Sequence, residues 1–322
     1  MQPCGRHAVL AALVGAVAWH LPAADLPKTI DKPSLVGADL KHANLANKNL
    51  DGAVLTGANL TGANLRGASL KGADLREAYL RDVDAPGADL SGARLAGADL
   101  TRADLREARL EGSDLSRAKL DNARLDDAVL GKAFLPGASL VRARMARVHL
   151  ESAVLSGANL AQADLSHAIL VGADLGAATL GQQGPSPANL AGADLRGADL
   201  SRALLVSVNL REAILEDATL TDAQLGHANL SWSRARRADL SRSNLAWSQL
   251  YGADLRDARF VGATLTQTQF EGARLADADF SGARLDNTNL NQTDMTGANV
   301  SSATIEHALT YGVTNLPAAM RP

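Results

Sequence analysis

The chain has 322 residues, with 32 Lys and Arg against 35 Asp and Glu, and 46% of it is hydrophobic although only 3% is aromatic. The apolar share is mostly Ala and Leu, which excludes a globular core of large interlocking rings, and the near balance of charge excludes the clustered basic excess of a nucleic-acid backbone binder. Length alone suggests about two domains, but one repeat runs through nearly the whole chain and overrides that expectation.

Residues 1–24 stand outside the repeat. Arg6 and His7 precede an apolar run from Ala8 to Trp19, followed by Leu21-Pro22-Ala23-Ala24. A weakly basic start, a short apolar run and small residues after it resemble a secretory signal peptide, cut after Ala23 or Ala24. The run falls short of the ~20 apolar residues that span a bilayer, so no transmembrane span is expected. An uncleaved membrane-touching tail and a disordered extension are the alternatives. Cys4, the one cysteine, lies in this segment, so a processed chain contains no thiol and no disulfide. That suits an oxidising compartment, periplasmic or secreted, with a cytoplasmic location the alternative.

Residues 25–32 form a polar lead-in, and 33–307 carry the repeat. From Leu35 to Ile305 a central residue recurs every five positions, giving about 55 units. Most centres are Leu; Met145, Phe260, Phe270, Phe280, Met295, Val300 and Ile305 are apolar substitutes. Two residues before most centres sits Ala, as at Ala53, Ala58 and Ala63. A period of five matches neither the 3.6 of a helix nor the 2.0 of a single-faced strand. It fits a polygonal coil in which each five residues form one side, with one small and one large residue pointing inward.

Two residues after the centre Gly is the commonest choice, as at Gly52, Gly57, Gly62 and Gly67. A type II turn needs positive φ at its third residue and favours Pro at its second. Pro86-Gly87 and Pro136-Gly137 place both residues in those slots, so each unit ends in a corner. Asp or Asn just before the centre reads as a solvated rung of the wall.

The run A-[D/N]-L-x-[G/x], as in Ala58-Asn59-Leu60-Thr61-Gly62 and Ala198-Asp199-Leu200-Ser201-Arg202, resembles the pentapeptide repeat family. The resemblance implies an all-β solenoid, a right-handed quadrilateral β-helix with four pentapeptides per coil and backbone hydrogen bonds along the axis. At a strand spacing of ~4.8 Å, about 14 coils make a rod roughly 65 Å long. Each coil touches only its neighbours.

Three places depart from the beat. Lys48 occupies an inward position; burying its ammonium is costly, so its head group is expected to reach water near the first coils. Gly181 to Pro187 has lost both inward residues and reads as a loop bulging from one corner, with a shift of coil register the open alternative. Ser231 to Arg237 keeps the beat, but Ala235 thins the core while Trp232 and three arginines crowd outside. After Ile305 the pattern stops, and residues 308–322 read as a cap or tail over the open coil end.

Outward residues twenty apart should stack. Asn189, Asn209, Asn229, Gln249, Gln269 and Asn289 then form an amide ladder. Asp174, Asp194, Ile214, Arg234, Asp254, Arg274 and Asp294 form a column of mixed sign, and His167 and His227 share a third. Phe260 and Phe280 are one coil apart on one side with Phe270 opposite, an inward stack. Exposed Val54, Phe134, Val154, Val129, Ile169 and Val171 offer apolar patches for a partner. Trp232, Arg234, Arg236, Arg237, Trp247 and Tyr251 combine aromatic rings with arginine and form the candidate partner-binding surface.

The sequence carries no HExxH, no paired-cysteine metal site, no phosphate-cradling loop and no nucleophile elbow, so no catalytic residue, metal or cofactor is expected. The expected function is a non-enzymatic scaffold presenting flat walls for protein–protein binding, outside the cytoplasm, to a partner the sequence does not identify. A homodimer contact through a coil end or an apolar wall, and no nucleic acid, complete the expectation. The alternative comes from the resemblance: some family members are acidic rods that mimic duplex DNA and bind topoisomerases such as gyrase. That mechanism needs sustained negative charge, which Arg76, Arg94, Arg117, Arg124, Arg144, Arg147 and Arg196 interrupt here.

Overall fold

A computed structural model of the protein describes residues 35–176 and 187–320. The five-residue beat becomes a stack of four-sided coils. Asp39 bridges Asn59 in parallel, Asn44 bridges Asn64, Asn49 bridges Ser69 and Val54 bridges Asp74, and this step of twenty recurs along the chain. The bridged position is always the residue before the centre. Among the described residues the bridges stay isolated and do not lengthen into strands, because a corner intervenes before a second pair can align. A chain that leaves a wall and returns to it in parallel makes a crossover that is right-handed in about 98% of cases.

Backbone accounting explains the consensus. The centre N–H donates to a carbonyl one coil on, as Leu40 N to Asn59 O at 2.7 Å. The N–H before the centre reaches back, as Asn59 N to Ala38 O at 2.8 Å. At the corner His42 N reaches Thr61 O at 3.0 Å, and Ala43 N closes the turn on Leu40 O at 3.0 Å. The N–H just after the centre is left over. The Asp or Asn side chain supplies its acceptor: Thr61 N donates to Asn59 Oδ1 at 3.1 Å, Ser91 N to Asp89 Oδ1 at 3.1 Å, and Ser201 N to Asp199 Oδ1 at 2.9 Å. The residue before the centre is therefore more than a solvated rung. It completes the hydrogen bonding of its own corner as an Asx turn.

The corners have the sign pattern of a type II turn, with φ of 63° at Gly87 and 65° at Gly137, each behind its Pro. Non-glycine residues take the same left-handed conformation, among them Asn122 at 58° and Arg237 at 57°. Inside, Leu55, Leu60 and their Ala neighbours are fully buried. Several Ser and Thr that replace inward Ala donate to a backbone carbonyl, as Ser113 Oγ to Leu110 O at 2.8 Å and Thr293 Oγ1 to Leu290 O at 2.7 Å, whereas the buried Ser233 and Ser248 hydroxyls have no partner. Phe260 and Phe280 stack with centroids 4.9 Å apart, and Phe270 meets them edge-on at 5.9 and 6.2 Å. The inward aromatic stack expected from the spacing is present. Lys48 is half-buried, and its N–H keeps the local turn on Leu45 O at 3.1 Å.

The step of twenty changes once. Asn159 bridges Asn189, Asp164 bridges Asp194, Ile169 bridges Asp199 and Asp174 bridges Leu204, a step of thirty. Ala188 N donates to Leu175 O at 2.9 Å, closing the corner as the next unit's Ala. The expected loop lies almost wholly outside the described residues, but its effect is visible in this bridging. The beat of five survives, while the numerical columns move by ten. Two column assignments made by counting in twenties are thereby corrected. Asp174 neighbours Leu204 rather than Asp194, and His167 lies under Gly197 in a column that excludes His227.

The far end also differs from expectation. Leu309 bridges Asn289 and Thr314 bridges Asp294, so the coil continues past residue 307. Its centres there are polar, Thr310 and Asn315, which hid the repeat from a search for Leu. The small inward residues remain as Ala308 and Val313, both packed on the core. A short 3-10 turn, Ala318–Met320, follows, and Met320 and Leu316 cover the last coil.

Candidate interaction surface

The filled coil leaves outward side chains at three positions of each unit, one on the wall and two at the corner. Charge on these positions is organised by stacking. Corner residues twenty apart form ion pairs: Arg102 with Asp82 at 2.6 Å, Arg147 with Asp127 at 2.6 Å, Arg237 with Asp217 at 2.6 Å, and Arg242 with Asp222 at 2.8 Å. Others link neighbours along one wall, such as Arg76 with Asp74 at 2.6 Å. The sequence reading missed the corner pairs, though opposite charges twenty positions apart were available as a signal.

These arginines hold their partners' carboxyl groups below the usual carboxylate range: hydrogen bonds from Arg102, Arg106 and Arg147 act on Asp82, Asp104 and Asp127. The folded values are depressed, so the stabilisation is present above the unfolded carboxylate value of about 4 and is lost as pH falls through the folded values. The Arg102–Asp82 and Arg147–Asp127 pairs are solvent-exposed and Arg106–Asp104 is partly buried, and each contributes little alone. The melting temperature, followed by circular dichroism, is expected to stay level between about pH 7 and 5 and to fall below about pH 4. A loss already complete near pH 6 would contradict this assignment.

The structure divides the six candidate residues between faces. Trp232, Trp247 and Tyr251 border the wall that carries Asn229 and Gln249. Arg234 lies on the next wall, and Arg236 and Arg237 occupy the corner beyond it. The arginines are ion-paired, Arg234 with Glu216 at 2.7 Å, Arg236 with Asp257 at 3.7 Å and Arg237 with Asp217. They do not form a free basic patch beside the rings. Trp232 and Trp247 are 58% and 53% exposed and occupy corner positions with φ of 62° and 64°. The Trp232 ring lies over Gly252, where an added Cβ would come within 2.3 Å of it. His227, one coil from Trp247, is stacked against it with centroids 6.1 Å apart. Counting in twenties could have found both contacts.

Among the apolar outward residues, Phe134 and Val154 are direct neighbours in one column, whereas His149 separates Val129 from Ile169. Among the described residues no group of three His, Cys, Asp or Glu is placed to hold a metal ion, and no helix is long and apolar enough to cross a membrane.

Comparison with known proteins agrees with this architecture. The family model for pentapeptide repeats matches eight times, over residues 34–72, 73–112, 108–145, 143–182, 188–222, 223–260, 238–275 and 273–309. The chain belongs to the pentapeptide repeat family, and its fold is that family's right-handed β-helix. Among solved structures it is similar to HetL, a pentapeptide repeat protein involved in heterocyst differentiation regulation from the cyanobacterium Nostoc sp. strain PCC 7120. That likeness has 34% identity over 78% of this chain and 88% of HetL, with a TM-score of 0.35. It is also similar to QnrB1, a plasmid-mediated fluoroquinolone resistance protein, at 16% identity over 79% of this chain and 91% of QnrB1, with a TM-score of 0.25. A third likeness is Rfr23 from the cyanobacterium Cyanothece 51142, at 25% identity over 40% of this chain and 64% of Rfr23, with a TM-score of 0.11. No curated protein matches the chain.

Proposed function

We propose that the chain is a non-enzymatic scaffold of about 14 coils, working outside the cytoplasm, whose flat walls bind a protein partner. The observation that carries this reading is the filled interior. Leu centres from Leu50 to Leu290 are buried to within a few per cent and Ala closes the space between them, so a ligand must be met from outside. Rigid walls present outward side chains in fixed rows, which lowers the ordering cost of an interface. A coil end or the Phe134–Val154 strip offers a second copy a contact.

The alternative, a DNA mimic acting on gyrase in the cytoplasm, needs an unbroken negative row. The columns run Asp74, Arg94, Asp114, Phe134 and Asp254, Arg274, Asp294, and internal ion pairs neutralise much of the acid. Two measurements test the reading. N-terminal sequencing of the protein from fractionated cells should find the processed chain outside the cytoplasm; full-length chain confined to the cytosol removes that part. A gyrase supercoiling assay with purified protein should show no effect at micromolar concentration; inhibition there establishes the alternative.

A further inference from the structure

One wall differs in chemistry from the other three. Across four consecutive coils, residues 226–232, 246–252, 266–272 and 286–292, it carries no Lys or Arg and only Asp286 and Glu271 as acids. Around the corner the next wall is dense in Arg and Asp. The charge-poor wall bears Asn229, Gln249, Gln269 and Asn289 in one column, with Trp232 on one border and Trp247 on the other.

The amide ladder expected down this column is interrupted. Asn189 Nδ2 donates to Asn159 Oδ1 at 3.3 Å and Asn209 Nδ2 to Asn189 Oδ1 at 2.8 Å; the ladder resumes where Asn289 Nδ2 meets Gln269 Oε1 at 3.3 Å. Among the described residues no amide-to-amide bond joins Asn229 or Gln249 to a column neighbour, and Gln249 is exposed. The gap coincides with the two tryptophans. The left-handed conformation is the rule at these corners for non-glycine residues too, among them His227, Arg237 and Arg242, so the two indoles stand out by their size and exposure. Gly is the commonest residue at these corners, whereas here two indoles stand more than half exposed.

From this arrangement we propose that the wall between Trp232 and Trp247 binds an extended, uncharged glycan lying along the rod axis. Each amide offers both donors and an acceptor, which matches hydroxyl groups that both give and take hydrogen bonds. The negative face of an indole attracts the weakly positive C–H groups on the flat side of a sugar ring. Rows repeat at the ~4.8 Å coil spacing, a step comparable to one sugar ring, so a regular polymer can repeat its contacts from coil to coil. A nucleic acid would need cations the wall lacks. A protein would be expected to bury an apolar centre, whereas amides occupy the centre here and the rings lie at the borders. The proposal stands apart from the protein-binding reading above and survives its failure.

The test uses the full chain. Calorimetric titration with cellohexaose and chitohexaose, and co-sedimentation with insoluble cellulose and chitin, should show binding of at least one neutral glycan. Polygalacturonate should bind at least tenfold more weakly. Trp232→Gly with Trp247→Gly should weaken neutral-glycan binding at least tenfold and leave the melting temperature unlowered, since Gly suits both corners. Arg234→Ala, one wall away, should leave binding unchanged. The proposal is overturned if neither neutral oligosaccharide binds at millimolar concentration, if the anionic polymer binds as well, or if the double variant binds like the parent. It is equally overturned if a protein partner proves to occupy this wall while the glycans are inert.

Discussion

Leu165→Asp is expected to lower unfolding free energy by about 5 kcal/mol or more. Leu165 is fully buried at the centre of its unit, within the coil whose bridging step changes. Truncating a buried Leu costs about 2–5 kcal/mol, and placing an unpaired carboxylate in the same space adds its desolvation. The coil offers no route to water, because Ala163 and Ala168 close the wall on either side. Leu165→Met keeps the volume and should cost less than about 1.5 kcal/mol. Urea unfolding followed by circular dichroism compares the two. Since each coil supports only its neighbours, the Asp variant should also unfold in two transitions, the halves separating at the damaged coil. A single transition with a midpoint close to that of the parent would refute the argument.

Phe260→Ala is expected to cost about 3–5 kcal/mol. Three rings fill the coils where Phe260, Phe270 and Phe280 replace Leu, and all three are fully buried. Removing one ring of the stacked Phe260–Phe280 pair, which Phe270 also meets edge-on, opens a cavity that neighbouring Leu centres are too regularly placed to fill. Phe260→Leu restores the usual centre and should recover most of the loss. In a double-mutant cycle with Phe280→Leu, the stacked pair should show a coupling of about 0.5–1.5 kcal/mol. Coupling near zero would mean that the rings act only by their volume.

The fold was legible in the sequence because one short rule is repeated without a competing one. Leu55 and Ala58 need the same surroundings as Leu60 and Ala63, so the beat defines the wall before any contact is known. The role of Asn59 and Asp199 was less legible, because it depends on which backbone N–H the coil leaves over, and that follows only from counting every bond in the turn. The continuation through Thr310 and Asn315 was hidden by their polar centres, although Ala308 and Val313 kept the inward spacing. Stacking across residues 177–186 was not fixed by pattern, since a beat of five permits a return at any of four walls. Counting in twenties across that segment therefore put His167 and His227 in one column, where the bridging separates them. The candidate surface was partly legible: Trp232, Trp247 and Tyr251 do border one wall, while Arg234, Arg236 and Arg237 are turned onto others by the corners between them.

The coil of thirty residues separates two measures of distance that coincide everywhere else in the molecule. Elsewhere, twenty positions of chain mean one coil of height. Between Asn159 and Asn189 thirty positions make one coil with the wall order intact, because Ala188 N closes the corner on Leu175 O. The junction therefore works as a port. Chain can be added or removed there without giving any wall residue downstream a new neighbour, so the rod can change its sequence length while its surface pattern stays in phase.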